Sequence, residues 1–331
     1  MQTSDIYKRF ASFEARGESP CYEEWAEGVV RDADLLTLID ELPVCKRQPN
    51  LVFAAARYAG VSAQPVDEFR TALVARWPQV RELILTKRTQ TNEPGRCAVL
   101  LPLLSALPQP LALLEVGASA GLCLYPDKFS YQYGDLPHLD PARGRSATVL
   151  SCAIDGPVPV PRTLPEVIWR VGIDLNPLDV TQSEDMRWLE TLVWPEQESR
   201  RQRLHAAIDI ARRDPPQLIN GDLNETIVTV ASHAPSDATL VVFHSAVLAY
   251  LSADARAQFV ATAKSLRGHW ISNEGLPLAP IVSTTVLPPP PDPTKALFVL
   301  AKDGEAVAYA GPHGQSLLWF GKVPDRPIRD P

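Results

Sequence analysis

The stretch that most constrains this chain is Leu111-Ala112-Leu113-Leu114-Glu115-Val116-Gly117-Ala118-Ser119-Ala120-Gly121. An apolar run ends in a carboxylate and then breaks into small residues. Both faces of the run are apolar and its length suits a strand, so it reads as a buried parallel strand rather than a helix. Gly-Ala-Ser-Ala-Gly then reads as a tight turn feeding a helix, where small side chains let a ligand approach backbone N–H groups at the helix start. Glu115, at the strand's carboxyl end, is placed to accept hydrogen bonds from a ligand ammonium or hydroxyl.

The rest of the chain is counted outward from this strand. Its 331 residues are enough for one large domain or two ordinary ones. Residues 1–105 read as an N-terminal helical cap domain. Ile6, Phe10 and Phe13 recur as on one helix face, Ser19-Pro20 with Glu23 and Glu24 opens a second helix, and periodic apolar runs follow to residue 85. Residues 106–325 read as a second domain in which strands alternate with helices. Strands are expected at 111–116, 167–173, 217–220, 239–243 and 269–272, followed by antiparallel strands at 296–301, 306–310 and 316–320. Residues 122–166, rich in proline, glycine and aromatics, read as an inserted hairpin or loop. The fold class is α/β, an open Rossmann-like sheet with an antiparallel edge.

Composition removes several classes of function. A net charge of −7 argues against a nucleic-acid surface, and Arg200, Arg201, Arg203, Arg212 and Arg213 fall at helical spacing, as on a solvated face. The polar start, Met1 to Arg9, is unlike a secretory signal, and no apolar stretch approaches the roughly 20 residues of a membrane span. Cys21, Cys45, Cys97, Cys123 and Cys152 are odd in number and scattered, which points to a reduced, cytoplasmic protein without structural zinc. Cys123 is expected to be a buried thiol. The six histidines form no ligand pair, so no metal is expected.

Open α/β sheets bind ligands at the carboxyl ends of their strands. Those ends carry Glu115-x-Gly117, Asp174, Gly221-Asp222, His244-Ser245 and Asn273-Glu274. An acid or histidine at each tip suits a ligand with an amine, sugar hydroxyls and an exocyclic amino group. Upstream, Gln90, Thr91, Asn92, Glu93 and Arg96 form a dense polar segment that reads either as a surface loop or as a lid over the bend. In the lid reading Arg96, with Asn92 and Glu93, grips a cofactor carboxylate or an acidic acceptor.

On these residues the stretch from about Leu111 to Phe320 resembles the class I S-adenosylmethionine-dependent methyltransferases. Glu115 to Gly121 is similar to that superfamily's acid-x-Gly-x-Gly-x-Gly motif, with Ser119 in place of the middle glycine. The resemblance implies seven strands and S-adenosylmethionine as cofactor. It implies that Gly117, Ala118, Ser119 and Gly121 cradle it, that Asp174 with Leu175 holds the ribose, and that Asp222 with Leu223 reads the adenine. Ser245 would lie under the methyl group. The 57 residues from Gly117 to Asp174 exceed the usual gap of about 20, and the insertion accounts for them. His244 is the expected base, Glu274 orients a small-molecule acceptor, and His313 lies on a loop within reach. The whole chain is also similar to a bacterial family defined only as a domain of unknown function, a resemblance that brings no activity.

Two other readings stand beside methyl transfer. Gly117-Ala118-Ser119-Ala120-Gly121 also fits Gly-x-Ser-x-Gly, the nucleophile elbow of α/β-hydrolases, with Asp292 or Asp303 and His313 completing a triad. Glu115 has the wrong charge to sit beside an oxyanion. The third reading is a methyltransferase-like scaffold that binds without catalysing. Trp188 and Trp194 read as core anchors.

Overall fold

β1 (Leu111–Val116) is buried along its whole length, as its two apolar faces require. The structure, a computed structural model, describes residues 2–90, 92–292 and 295–322. The chain divides into two compact units, residues 1–91 with 182–204, and residues 92–181 with 205–331. The helical segment 92–105 therefore belongs with the sheet, whereas the expected boundary fell after it.

The first unit contains α1 (Thr3–Phe10), α2 (Pro20–Arg31), α3 (Ala33–Asp40), α4 (Pro49–Tyr58), α5 (Val66–Ala75) and α6 (Trp77–Thr86). Local chemistry sets their starts: Ser19 accepts the Tyr22 N–H, Asp32 accepts those of Asp34 and Leu35, and prolines open α2 and α4. Aromatic rings fill the core, with Trp25 stacked on Phe69 at 4.0 Å. Phe13 departs from the expected face and is 75% exposed. A π-helical turn over Ala11–Ala15 adds a residue to that turn and rotates Phe13 outward. Trp188 and Trp194 are anchors in this unit: their indole N–H groups donate to the Arg88 carbonyl at 3.0 Å and to Asn50 Oδ1 at 2.9 Å.

The second unit begins with α7 (Cys97–Ala106) and is built on a mixed, mostly parallel ten-stranded sheet. Its strands after β1 are β2 (Ser130–Tyr133), β3 (Val149–Asp155), β4 (Val167–Asp174), β5 (Gln217–Asn220), β6 (Thr239–Ser245), β7 (His269–Gly275), β8 (Phe298–Lys302), β9 (Glu305–Ala310) and β10 (Ser316–Trp319). The spatial order is β2-β3-β10-β9-β8-β7-β6-β1-β4-β5. Ten strands replace the expected seven. Among the described strands the antiparallel ladders are β7–β8, β8–β9 and β9–β10, with one isolated antiparallel bridge between Tyr131 and Leu139.

The inserted segment is the main topological difference. β2 and β3 are parallel to each other, and β3 is parallel to β10, so the insertion extends the sheet instead of folding as a hairpin. The connection 134–148 is long enough to return the chain to the same end, which parallel pairing requires.

β1, β4 and β5 run outward in one direction and β6 and β7 in the other, each pair of neighbours parallel. The order reverses between β1 and β6, and at such a point the loops leave a crevice outside the carboxyl strand ends. One face packs Ala112, Leu114, Val116, Val242 and Trp270 against the helices 223–232 and 253–265. The alternation of β1 therefore turns Glu115 to the other face.

Candidate functional site at the strand tips

The bend after β1 does not feed a helix. Leu122–Leu124 form a single 3₁₀ turn, and Pro126 then closes off helical continuation. Gly117 and Gly121 take the left-handed conformation at φ 72 and 70, and so does Ser119 at φ 51. A Cβ on Gly117 would collide with the Val247 side chain.

The N–H groups of the bend, that of Ala120 apart, are already spent. Gly117 and Ala118 donate to the Ile173 carbonyl at 2.8 and 3.1 Å. Ser119 N–H donates to Asp174 Oδ2 at 2.8 Å, Gly121 N–H to the Ala118 carbonyl at 2.7 Å, and Leu122 N–H to Asn92 Oδ1 at 2.8 Å. The amide cradle expected from the sequence is thus a laced turn, because Asp174 and Asn92 supply acceptors that a ligand would otherwise provide.

Below the bend lies a buried polar cluster. Glu115 is 4% exposed and its Oε2 has no hydrogen-bond partner. Burial pushes its carboxyl well above the usual range. The thiol of Cys123 and the charge of Asp174 add to that rise, and Arg96 opposes it. Burial therefore favours the neutral acid over the anion that an ammonium would need. The Cys123 thiol donates to the Glu93 carbonyl at 3.4 Å. It is also raised well above its ordinary value by its neighbour Cys97 and by burial, which disfavours the thiolate a nucleophile needs. Glu93 accepts the Gly95 N–H at 2.9 Å, which caps the turn carrying Arg96. Asn92, Glu93 and Arg96 are all buried, packed into the tips rather than standing over them.

His244 and Glu274 meet on the opposite face. His244 Nδ1 and Glu274 Oε1 are 2.7 Å apart, both side chains wholly buried. Glu274 Oε1 also accepts the N–H groups of Val247 at 2.8 Å and Leu248 at 3.2 Å. The imidazole lies against Phe259 and Trp270, at 5.1 and 5.9 Å between ring centroids. Glu274 therefore fixes both the imidazole and the loop leaving β6.

The remaining sequence-predicted residues are spread around these two centres. Asp222 caps the helix 223–232 by accepting the Asn224 N–H at 2.8 Å, Leu223 is buried at that helix's start, and Leu175 is exposed. Ser245 Oγ accepts from Asn273 Nδ2 at 2.9 Å. The loop of His313 approaches the turn 93–96, where the Pro312 carbonyl accepts from Arg96. Gln90 belongs to the first unit, and Thr91 lies outside the described residues. Val247 is absent from the sequence reading, and Asn273 enters it as part of the β7 tip with no role of its own. Asn273 sits beside the acid that drew notice, and Val247 carries no polar signal.

The hydrolase set is not assembled. Ser119 Oγ has no hydrogen-bond partner, and the Asp303 carboxylate is held by His269 at 2.7 Å and by the Trp270 N–H at 2.8 Å, at the start of β7. Among the described residues no group of His, Cys, Asp or Glu is placed to hold a metal ion. No helix among them is long and apolar enough to cross a membrane.

The family model described as "Uncharacterized protein conserved in bacteria (DUF2332)" matches residues 4–319. The chain belongs to this DUF2332 family. The match runs through the laced bend, the buried cluster and the His244–Glu274 pair, so the features described above are features of a DUF2332 chain. No curated protein and no solved structure matches it.

Proposed function

We propose that the carboxyl tips of β1, β4, β5 and β6 form a small-molecule site, and that the protein is an S-adenosylmethionine-dependent methyltransferase acting on a small-molecule acceptor. The observation that carries this reading is Asp174: it is half-buried at the tip next to β1, with its carboxylate turned onto the bend. Each oxygen accepts one backbone N–H and keeps a lone pair for a sugar hydroxyl. Asp222, on the next tip, is likewise only partly covered and suits an exocyclic amine.

The residues fit the adenosyl part of the cofactor, and the orphaned Ser119 Oγ and Glu115 Oε2 mark buried polar groups that lack partners. Among the described residues the Ala120 N–H is the one amide of 117–122 left unbonded, so side chains would hold most of the amino-acid end. When bound, the cofactor supplies an electrophilic methyl group on a sulfonium. The protein's own task is orientation and exclusion of water. Asp174 and Asp222 orient the ligand, and Ser245 and Asn273 line the neighbouring tip. His244 and Glu274 act as positioning residues, because Phe259 and Trp270 cover the imidazole and Glu274 pins the 247–248 backbone.

Calorimetric titration with S-adenosylmethionine and S-adenosylhomocysteine tests the reading. Saturable binding that disappears in Asp174→Ala supports it; heat from neither ligand overturns it. A scaffold that binds without catalysing would show the same heats, with no methyl transferred to any acceptor supplied.

A further inference from the structure

We infer that Arg96 is the recognition group for a carboxylate, and that the acceptor is therefore a carboxylate-bearing small molecule. The inference deepens the proposed function and rests on it for the word acceptor; the binding site itself does not depend on the cofactor.

Arg96 is only 6% exposed, yet its guanidinium is paired with no carboxylate among the described residues. Its Nε–H donates to the Pro312 carbonyl at 3.0 Å and Nη1 to the Ser245 carbonyl at 3.0 Å. The Phe298 ring lies 5.6 Å beneath it. Two carbonyls orient the fork without neutralising it. Among the described residues Nη2 makes no hydrogen bond, and it is not sealed from solvent. A buried cation is ordinarily paired, because its desolvation goes uncompensated otherwise. A pre-oriented guanidinium with an open amino group is a receptor for an anion.

A second observation points to the same place. Asn273 is fully buried beside Ser245, and its Oδ1 has no partner. An orphaned acceptor next to an unpaired cation asks for a ligand that joins an anion to an O–H or N–H. The guanidinium is close enough to Glu115 to oppose the rise that burial imposes on that carboxyl. One positive charge suits a singly charged carboxylate better than a dianionic phosphate.

The test uses full-length protein and three probes, phenylacetate, mandelate and inorganic phosphate, titrated calorimetrically with and without S-adenosylhomocysteine. Both carboxylates are expected to bind, mandelate more tightly through its hydroxyl, and phosphate weakly or not at all. Arg96→Lys keeps the charge but loses the fork, and should weaken both carboxylates roughly tenfold or more with an unchanged circular dichroism spectrum. Should that variant misfold, Asn273→Ala serves instead and should reduce mandelate to the affinity of phenylacetate. Equal affinity for phosphate, carboxylate binding indifferent to Arg96→Lys, or no carboxylate binding at all would overturn the inference. Binding of S-adenosylhomocysteine without any carboxylate overturns it alone. Carboxylate binding without the adenosyl ligand leaves the Arg96 site standing and removes the methyltransferase reading.

Discussion

Asp174 holds Ser119 by its backbone: one carboxylate oxygen accepts the Ser119 N–H at 2.8 Å while the other accepts the Asn176 N–H at the same distance. The tip of β4 thereby fixes the bend after β1, and one side chain serves both the scaffold and the proposed ligand. Replacing it should separate those roles. Asp174→Ala is expected to lower stability by about 1–3 kcal/mol, since it strands two backbone donors. Asp174→Asn, which keeps an acceptor oxygen, should lose less. Urea unfolding measures both, and equal losses would show that the carboxylate does not organise the bend.

Glu274 serves three donors with one oxygen. Glu274→Ala leaves His244 Nδ1 and the N–H groups of Val247 and Leu248 without an acceptor in a dry interior. The expected cost is on the order of 3 kcal/mol or more, with Glu274→Gln milder because an amide oxygen still accepts. A fall of under about 0.5 kcal/mol in denaturant melts, the size of an ordinary surface change, would contradict this account.

Glu115 makes stability depend on pH in an unusual sense for a carboxylate. Its folded-state value lies above the ordinary 4.5 because burial penalises the charge. The contribution is therefore fully present below 4.5 and is lost as pH rises through the elevated folded value. Glu115→Gln should match the parent at pH 4 and become the more stable protein toward pH 8. Thermal melts across that range decide the matter; a variant that is less stable at pH 8 contradicts the neutral-acid assignment.

Gly117 faces Val247 with no room for a methyl group and has a positive φ. Gly117→Ala should cost about 1–3 kcal/mol through strain and overpacking. Gly117→Ala with Val247→Ala should recover the overpacking part and leave the backbone strain. Strict additivity in a double-mutant cycle would rule out the contact as the cause.

Ser119→Gly relieves a left-handed serine and deletes a hydroxyl that has no partner. It should raise stability by about 1 kcal/mol. A nitrophenyl esterase activity that vanished in Ser119→Ala would instead revive the hydrolase.

Much of the second unit was legible because its signals are local. Apolar runs closed by an acid at 111–116, 167–174 and 217–220 mark strands whatever surrounds them, and the turn at Asp303-Gly304 joins two strands as expected. The insertion was read as a hairpin because alternation reveals a strand but not its partner; only the pairing of β3 with β10 shows that it widens the sheet. The segment 90–96 is hard to place for a similar reason: a polar run looks solvated, whereas Asn92 is buried and accepts the Leu122 N–H.

Alone, the sequence determined which segments are strands and that an acid or a histidine stands at each central tip, because hydrophobic period and turn chemistry act over a few residues. Tertiary structure decided what those tips do. Whether Glu115 is charged, whether the bend's amides are open and whether Arg96 has a counter-ion all depend on desolvation and on partners more than 50 residues away, such as Asp174 for Ser119 and Ser245 for Arg96.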